Sequence, residues 1–374
     1  MFLDCFSKVE DPRIDRTKKY PLIEVLLSAF FAVMDGARSW NSINTFASVH
    51  LSHLRKFLPF ENGIPSEDTY ARVFSLINPD SFEKAFREAA HRILASLGKE
   101  PSLINIDGKQ MRGATEAGGI TVHLLSAWCH DTGISLGQMR IDDKSNEIPS
   151  IPVLLDQLAI EGATITIDAM GTQKEIAKKI IDGGADYVLA VKGNQPSLQD
   201  AVIKVISNYR PMDTFELPPE SARGYVYERK ALLYDAPRSR VPMADEWAGL
   251  RRVARIICTT THKRSGKVTE EIRNYILSNE TFTAKDTLLA TRHHWDIENG
   301  CHWQLDCSFK EDDSRKYKGH SAENFSRLLR TALNCVKAID LGKDQRKSVI
   351  DRCKIIAFSE NHWSRLFYRL SAKD

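Results

Sequence analysis

The sequence predicts an α/β protein, a mixed sheet with a β-rich insertion, preceded by a small all-α N-terminal domain. Three observations lead there. Up to about residue 98, apolar residues recur at helical spacing. From Leu103 onward, short apolar runs closed by turn residues alternate with helical stretches, and residues from about 210 to 280 read as long strands. The expected division is a helical domain over 1–98, for DNA binding or assembly, and an α/β domain over 99–340 holding the insertion at about 210–280. A basic helical tail follows over 341–374, with Lys343, Arg346, Lys347, Arg352, Lys354, Arg365 and Arg369.

In the first domain, Pro21 to Met34 is the most apolar run. It contains Glu24, is shorter than the roughly 20 residues that span a bilayer, and reads as a buried helix. Ser39 caps a helix carrying Ile43, Phe46, Ala47, Leu51 and Leu54, and Ser66 caps one that stops near Asn78-Pro79. Another runs from about Asp80 to Gly98. A helix-turn-helix and a plain bundle both fit.

Leu103 to Asp107 reads as a strand followed by a loop rich in Gly, Lys and Arg; Thr121 to Cys129 and Ile134 to Ile141 form a hairpin through His130-Asp131-Thr132-Gly133. A helix from Ile151 to Ala159, a strand from Ala163 to Asp168, a helix from Gln173 to Asp182 and an apolar strand from Tyr187 to Val191 follow. Strands at Tyr225 to Tyr234, Leu250 to Thr261 and Glu270 to Leu277 make the insertion, and helices resume from Ala284.

The charge of +3, from 52 basic and 49 acidic residues, permits nucleic-acid binding without requiring it. Seven scattered cysteines with no C-x-x-C pair read as reduced thiols. Asp4, Lys8, Glu10 and Asp11 interrupt any export signal, so a soluble cytoplasmic protein without membrane contact is expected.

Two aspartates share one setting. Asp107 ends an apolar strand before Gly108, and Asp168 ends another with Gly171 close behind. Functional groups in open α/β sheets collect at such carboxyl ends, although a turn cap gives the same pattern. Further on, Trp295, Glu298, His302, Leu305 and Phe309 form one helical stripe expected to face the core. A glutamate there needs a metal or a cationic partner. His294, Glu298, His302 and Asp306 also share a face, which leaves a zinc site open. Clustered carboxylate oxygens suit Mg²⁺ or Mn²⁺, and two such ions support in-line displacement at phosphorus. Lys109, Arg112, Lys192 and Asn194 lie just past strand ends, where they can hold DNA phosphates or simply be solvated.

Taken in order, Asp11-Pro12-Arg13, Tyr20-Pro21-Leu22, Asn62 to Thr69, Ile106 to Lys109, Asp143 to Ile148, Asp168 to Gly171, Val191 to Gln195, His294 to Asn299, His302 to Asp306 and Glu311-Asp312-Asp313 carry a resemblance over nearly the whole chain. The chain resembles the H-repeat-associated family of bacterial insertion-sequence transposases, a branch of the DDE transposases related to ribonuclease H-like integrases. The resemblance implies a ribonuclease H-like catalytic domain with Asp107, Asp168 and Glu298 as a triad holding two Mg²⁺ or Mn²⁺ ions. It also implies terminal inverted repeats and target DNA as partners, and a homodimer in the synaptic complex. Related transposases carry Tyr and Arg upstream of the glutamate and Lys downstream; here Thr291, His294 and Leu305 stand at those offsets, with His294 a candidate phosphate contact. A relative that binds DNA without cutting it, and a metal-dependent nuclease without strand transfer, stay open as alternatives.

Overall fold

The computed structural model describes residues 2–119, 121–141, 147–357 and 359. Helices α1 (Phe2–Phe6), α2 (Leu22–Asp35), α3 (Trp40–Val49), α4 (Leu51–Leu54), α5 (Glu67–Leu76) and α6 (Pro79–Leu97) open the chain. Then come β1 (Leu103–Gln110), α7 (Arg112–Gly118), β2 (His123–Cys129), β3 (Ile134–Ile141), α8 (Ser150–Leu155), β4 (Thr164–Ile167), α9 (Lys174–Asp182), β5 (Asp186–Val191) and α10 (Pro196–Asn208). Strands β6 (Asp213–Ala222), β7 (Tyr225–Asp235), β8 (Arg252–His262) and β9 (Val268–Leu277) precede α11 (Ala284–His293), a π-helical turn (Glu298–His302), α12 (Trp303–Cys307), α13 (Ser321–Ala338) and α14 (Val349–Ala357).

The chain divides into two compact units. One comprises Met1–Glu100, Gly108–Lys144 and Glu298–Asp374, and the other Pro101–Asp107 and Ser145–Ile297. The N-terminal helices therefore do not stand alone as a domain over 1–98; they share a unit with the hairpin and with α13. The physical reason lies in α13, which is buried from Ser321 to Val336 and packs on α2, α5 and α6. Phe74 and Trp40 meet Phe325 of α13 edge-on, at centroid distances of 6.3 and 5.3 Å.

Polar groups are buried in this unit with partners. Asn334 accepts from the Ser135 backbone N–H and donates to its carbonyl, both at 2.9 Å, while Glu83 accepts the Gln138 N–H at 2.8 Å. Side chains of α6 and α13 thus satisfy ladder groups of β3. Glu83 also pairs with Arg327 at 2.7 Å. Glu311, fully buried, pairs with Arg330 at 3.0 Å and with Lys109 at 2.9 Å, and accepts from Ser326 at 2.7 Å. Arg330 also donates to Ser326.

In the other unit β1, β4 and β5 run parallel, and β9, β8, β7 and β6 continue the same sheet antiparallel in that order. Residues read as an insertion therefore extend the sheet, with β9 pairing directly to β5. Leu288 and Ala290 of α11 pack on Val188, Leu233, Ala254 and Tyr275. Strand β6, not anticipated from the sequence, bulges between Leu217 and Glu220, where Pro218 and Pro219 sit, at the end of the strand order. Proline lacks a ladder donor, so a bulged edge is where it fits. Residues Asp143 to Asn146, Arg365 and Arg369 lie outside the described residues.

Removing Glu311 leaves the buried Arg330 without its carboxylate and takes from Lys109 one of its three. Glu311→Ala is expected to cost about 3–5 kcal/mol, read as a lower urea midpoint at pH 7. Burial pushes the Glu311 carboxyl up, but Arg330 and Lys109 outweigh it and hold it at about 2, below its ordinary 4.5. With the folded value depressed, its stabilisation is present above the ordinary value and is lost as pH falls toward about 2. Glu311→Gln should flatten that acid limb; an unchanged limb would refute the assignment.

Candidate active site

Strand β4 is four residues, Thr-Ile-Thr-Ile, all buried between parallel neighbours. Its register with β1 pairs Leu103 with Thr164 through Ile106 with Ile167. The next residue on each is an aspartate, so Asp107 and Asp168 lie side by side just past the paired stretch. Asp168 follows the end of β4 as expected, but Asp107 does not end its strand, because β1 runs on to Gln110. Both are half-buried.

Asp168 caps the short turn Ala169–Gly171, its Oδ1 accepting from the N–H groups of Met170 at 3.1 Å and Gly171 at 3.2 Å. Both bonds fall on one oxygen, which fixes the carboxylate, and no hydrogen bond among the described residues falls on Oδ2. Gly171 is required here, because a Cβ would come within 2.3 Å of the Ile167 side chain. Burial raises the Asp168 carboxyl above its ordinary value, the negative charge of Glu147 adds to this, and the two N–H groups and Lys192 oppose it.

The loops after β4 and β5 are stitched together. Asn194 donates to the Ala169 carbonyl at 2.7 Å, Thr172 to the Ala190 carbonyl at 2.6 Å, and Gln195 to the Thr172 carbonyl at 3.1 Å. Lys192 is exposed on this edge. Beneath it, Asn105 Nδ2 donates to Thr166 Oγ1 at 2.6 Å, and Thr166 Oγ1 meets His294 Nδ1 at 3.0 Å. Thr166 thus links the Asn105 amide to the His294 ring, with donor and acceptor on the second contact set by the imidazole tautomer. Asp168, Lys192, Arg273, His294 and Trp295 surround a cavity of about 120 Å³.

The structure thus brings Asp107, Asp168, Lys192, Asn194 and His294 to one unit. Glu298 opens the last segment of the other unit. Its helical stripe is not as expected: α11 ends at His293, a π-helical turn follows, and Trp295 and the Glu298 side chain are about half exposed, at 49% and 50%. Ile297 and Cys301 are buried in their place, while His302, Leu305 and Phe309 of the stripe are buried as expected. Lys109 corrects a second expectation. Rather than facing a phosphate it is buried, its ammonium 2.5 Å from Asp306, 2.9 Å from Glu311 and 3.2 Å from Asp312, and these carboxylates hold its charge against burial. Arg112 stays exposed, its Nε 3.8 Å from Asp312. Sequence reading missed Asn105, Thr166, Glu147 and Arg273 as neighbours of the aspartates; alternation along β1 and β4 was a usable signal for the first two.

The model of the transposase DDE domain matches residues 98–335, and a DDE_Tnp_1-associated model matches residues 3–89. The chain belongs to the DDE transposase family. Within that family, the "H repeat-associated putative transposase YhhI" of Escherichia coli K12 is 35% identical, covering 94% of this chain and 95% of its own. The "Putative transposase YncI" of Escherichia coli O157:H7 is 37% identical, over 90% of this chain and 87% of its own. The piggyBac transposase in a synaptic complex with hairpin DNA aligns at a TM-score of 0.41 and 11% identity, over 98% of this chain and 79% of that one, too distant a likeness to bear on the site. DDE membership implies a divalent metal, and the hard carboxylate oxygens of Asp107 and Asp168, side by side, fit that donor chemistry.

Thr166 is the link that can be cut cleanly. Thr166→Val leaves the buried Asn105 amide without its acceptor and should cost about 1–3 kcal/mol in denaturant unfolding, whereas Thr166→Ser should stay near wild type. Equal losses in the two variants would assign the cost to packing instead.

Proposed function

We propose that this chain is an active transposase, cutting DNA at the ends of a mobile element and joining them to a target. The observation that carries the reading is the β1–β4 register that sets Asp107 and Asp168 side by side, inside the segment matched by the transposase DDE domain. Glu298 completes the set of carboxylates, and the three together hold two Mg²⁺ or Mn²⁺ ions. When bound, such ions activate the attacking oxygen and neutralise the departing one. In cleavage, a water oxygen bonds to phosphorus as the bond to the bridging 3′-oxygen breaks. In transfer, the freed 3′-hydroxyl attacks a target phosphodiester in the same way, so the number of P–O bonds is conserved.

The other residues position the DNA. Lys192 and Arg112 offer cations to phosphate oxygens, and His294, whose ring is oriented by Thr166, offers an imidazole nitrogen. Asn194 acts by holding the turn that carries Asp168. No helix among the described residues is long and apolar enough to cross a membrane, which suits a protein working on DNA in the cytoplasm.

Asp107→Asn, Asp168→Asn and Glu298→Gln each keep side-chain size and remove the charge a cation needs. Each should abolish Mg²⁺-dependent cleavage of terminal-repeat DNA, on the order of 4 kcal/mol or more of transition-state stabilisation, and should lose the rise in Tm that MnCl₂ gives the wild type. A variant that keeps near-normal cleavage was wrongly assigned. Two ends must be held together, so we also expect two chains per pair of terminal-repeat duplexes by light scattering. One-to-one complexes that complete strand transfer would contradict this.

A further inference from the structure

A groove of about 670 Å³ lies in the unit that holds α3, α5 and α13, between Trp40, the outer side of α5 and residues 313–318. Five cations line it, Arg38, Arg72, Arg315, Lys316 and Lys318, against two carboxylates, Asp68 and Asp313. Two of the cations serve the framework. The Arg38 guanidinium donates to the carbonyls of Val33, Ala37 and Ser308, and the Lys316 ammonium donates to the Arg38 carbonyl and lies over the Phe325 ring, 4.0 Å from its centroid. Burial, with Arg38 nearby, pushes Lys316 down to about 7, so an anion entering the groove favours its charged form.

The remaining three are different. Arg72, Arg315 and Lys318 are exposed and form no ion pair with any carboxylate among the described residues. Unpaired cations on two separate segments, beside the 42% exposed ring of Tyr317, need a reason to be held together. The segment bearing them is fixed by close approaches that only glycine permits. A Cβ on Gly319 would come within 2.5 Å of the Ser75 carbonyl of α5, and one on Gly118 within 2.8 Å of the Tyr317 ring. The wall is therefore set rigidly against α5 and α7, and its charges are presented rather than dispersed.

We propose that this groove binds the phosphate backbone of duplex DNA, with Arg72, Arg315 and Lys318 as the phosphate contacts. The inference rests on the reading of the chain as a transposase, since an acidic protein surface would match the same charge. Duplex DNA is favoured because its evenly spaced phosphates meet separate cations one by one, while an exposed tyrosine beside them suits sugar and base edges.

Binding of full-length protein to a fluorescent terminal-repeat duplex is measured across NaCl concentrations for wild type and for Arg72→Gln/Arg315→Gln/Lys318→Gln. Loss of three phosphate contacts should reduce the slope of log K against log salt by about 2.7. Duplex should also protect Lys318 of the wild type from chemical acetylation, a readout independent of the variant's folding. If the wild type binds duplex while the slope is unchanged and Lys318 is unprotected, the groove is not the site, although the transposase reading stands. Wild-type protein that binds no duplex overturns both. Protection of Lys318 by polyglutamate equal to that by duplex assigns the groove to an acidic protein and overturns the DNA assignment.

Discussion

The buried carboxylate of Glu311 organises the unit in which it lies. Two cations of different elements, Lys109 at the end of β1 and Arg330 in the middle of α13, converge on it away from water. Such pairs add little net stability over a well-packed apolar core, but they are costly to break one partner at a time. Their geometric effect is direct: Lys109 and Arg330, meeting at Glu311, tie α13 to the end of β1 in a defined rotational setting. That setting directs Asn334 to the edge of β3 and Arg327 to Glu83. Arg327 and Arg330 are fully buried arginines on a helix otherwise filled by Leu328, Leu329, Ala332 and Leu333.

A different economy governs the strand ends. Around Asp168 the chain uses backbone donors, a glycine and amide side chains to hold a carboxylate that burial and Glu147 disfavour in its charged form. The arrangement is rigid and electrostatically incomplete, as expected of a site built to receive a cation. The hydrogen-bonded chain from Asn105 through Thr166 to His294 adds orientation.

Legibility in the sequence followed the range of the interactions. Asp168 could be read at a strand end because a short apolar run with a glycine close behind is a local signal; the same signal misled at Asp107, where β1 runs on to Gln110. The hairpin, α9, β5 and the strands from β7 to β9 were legible for the same reason. Strand β6 was hidden by Pro218 and Pro219, which argue against a strand until its bulged, terminal position is known. The exposure of Trp295 and Glu298 was hidden by the π-helical turn, which breaks the period that the stripe assumed. Lys109 was misjudged because its three carboxylate partners lie far along the chain, on and after α12. The groove cations gave no signal, since Arg72 and Arg315 are separated by most of the sequence.

The division of the chain has a consequence for synthesis. The unit made of Pro101–Asp107 and Ser145–Ile297 can close once α11 has emerged from the ribosome. The helices before residue 98, although translated first, await α13 to cover Phe74 and Trp40. For most of translation those aromatic faces are exposed to chaperones and to one another. Copies truncated ahead of Ser321 should accordingly accumulate as aggregates or be degraded, and a decaying element would lose its soluble product well before losing its aspartates.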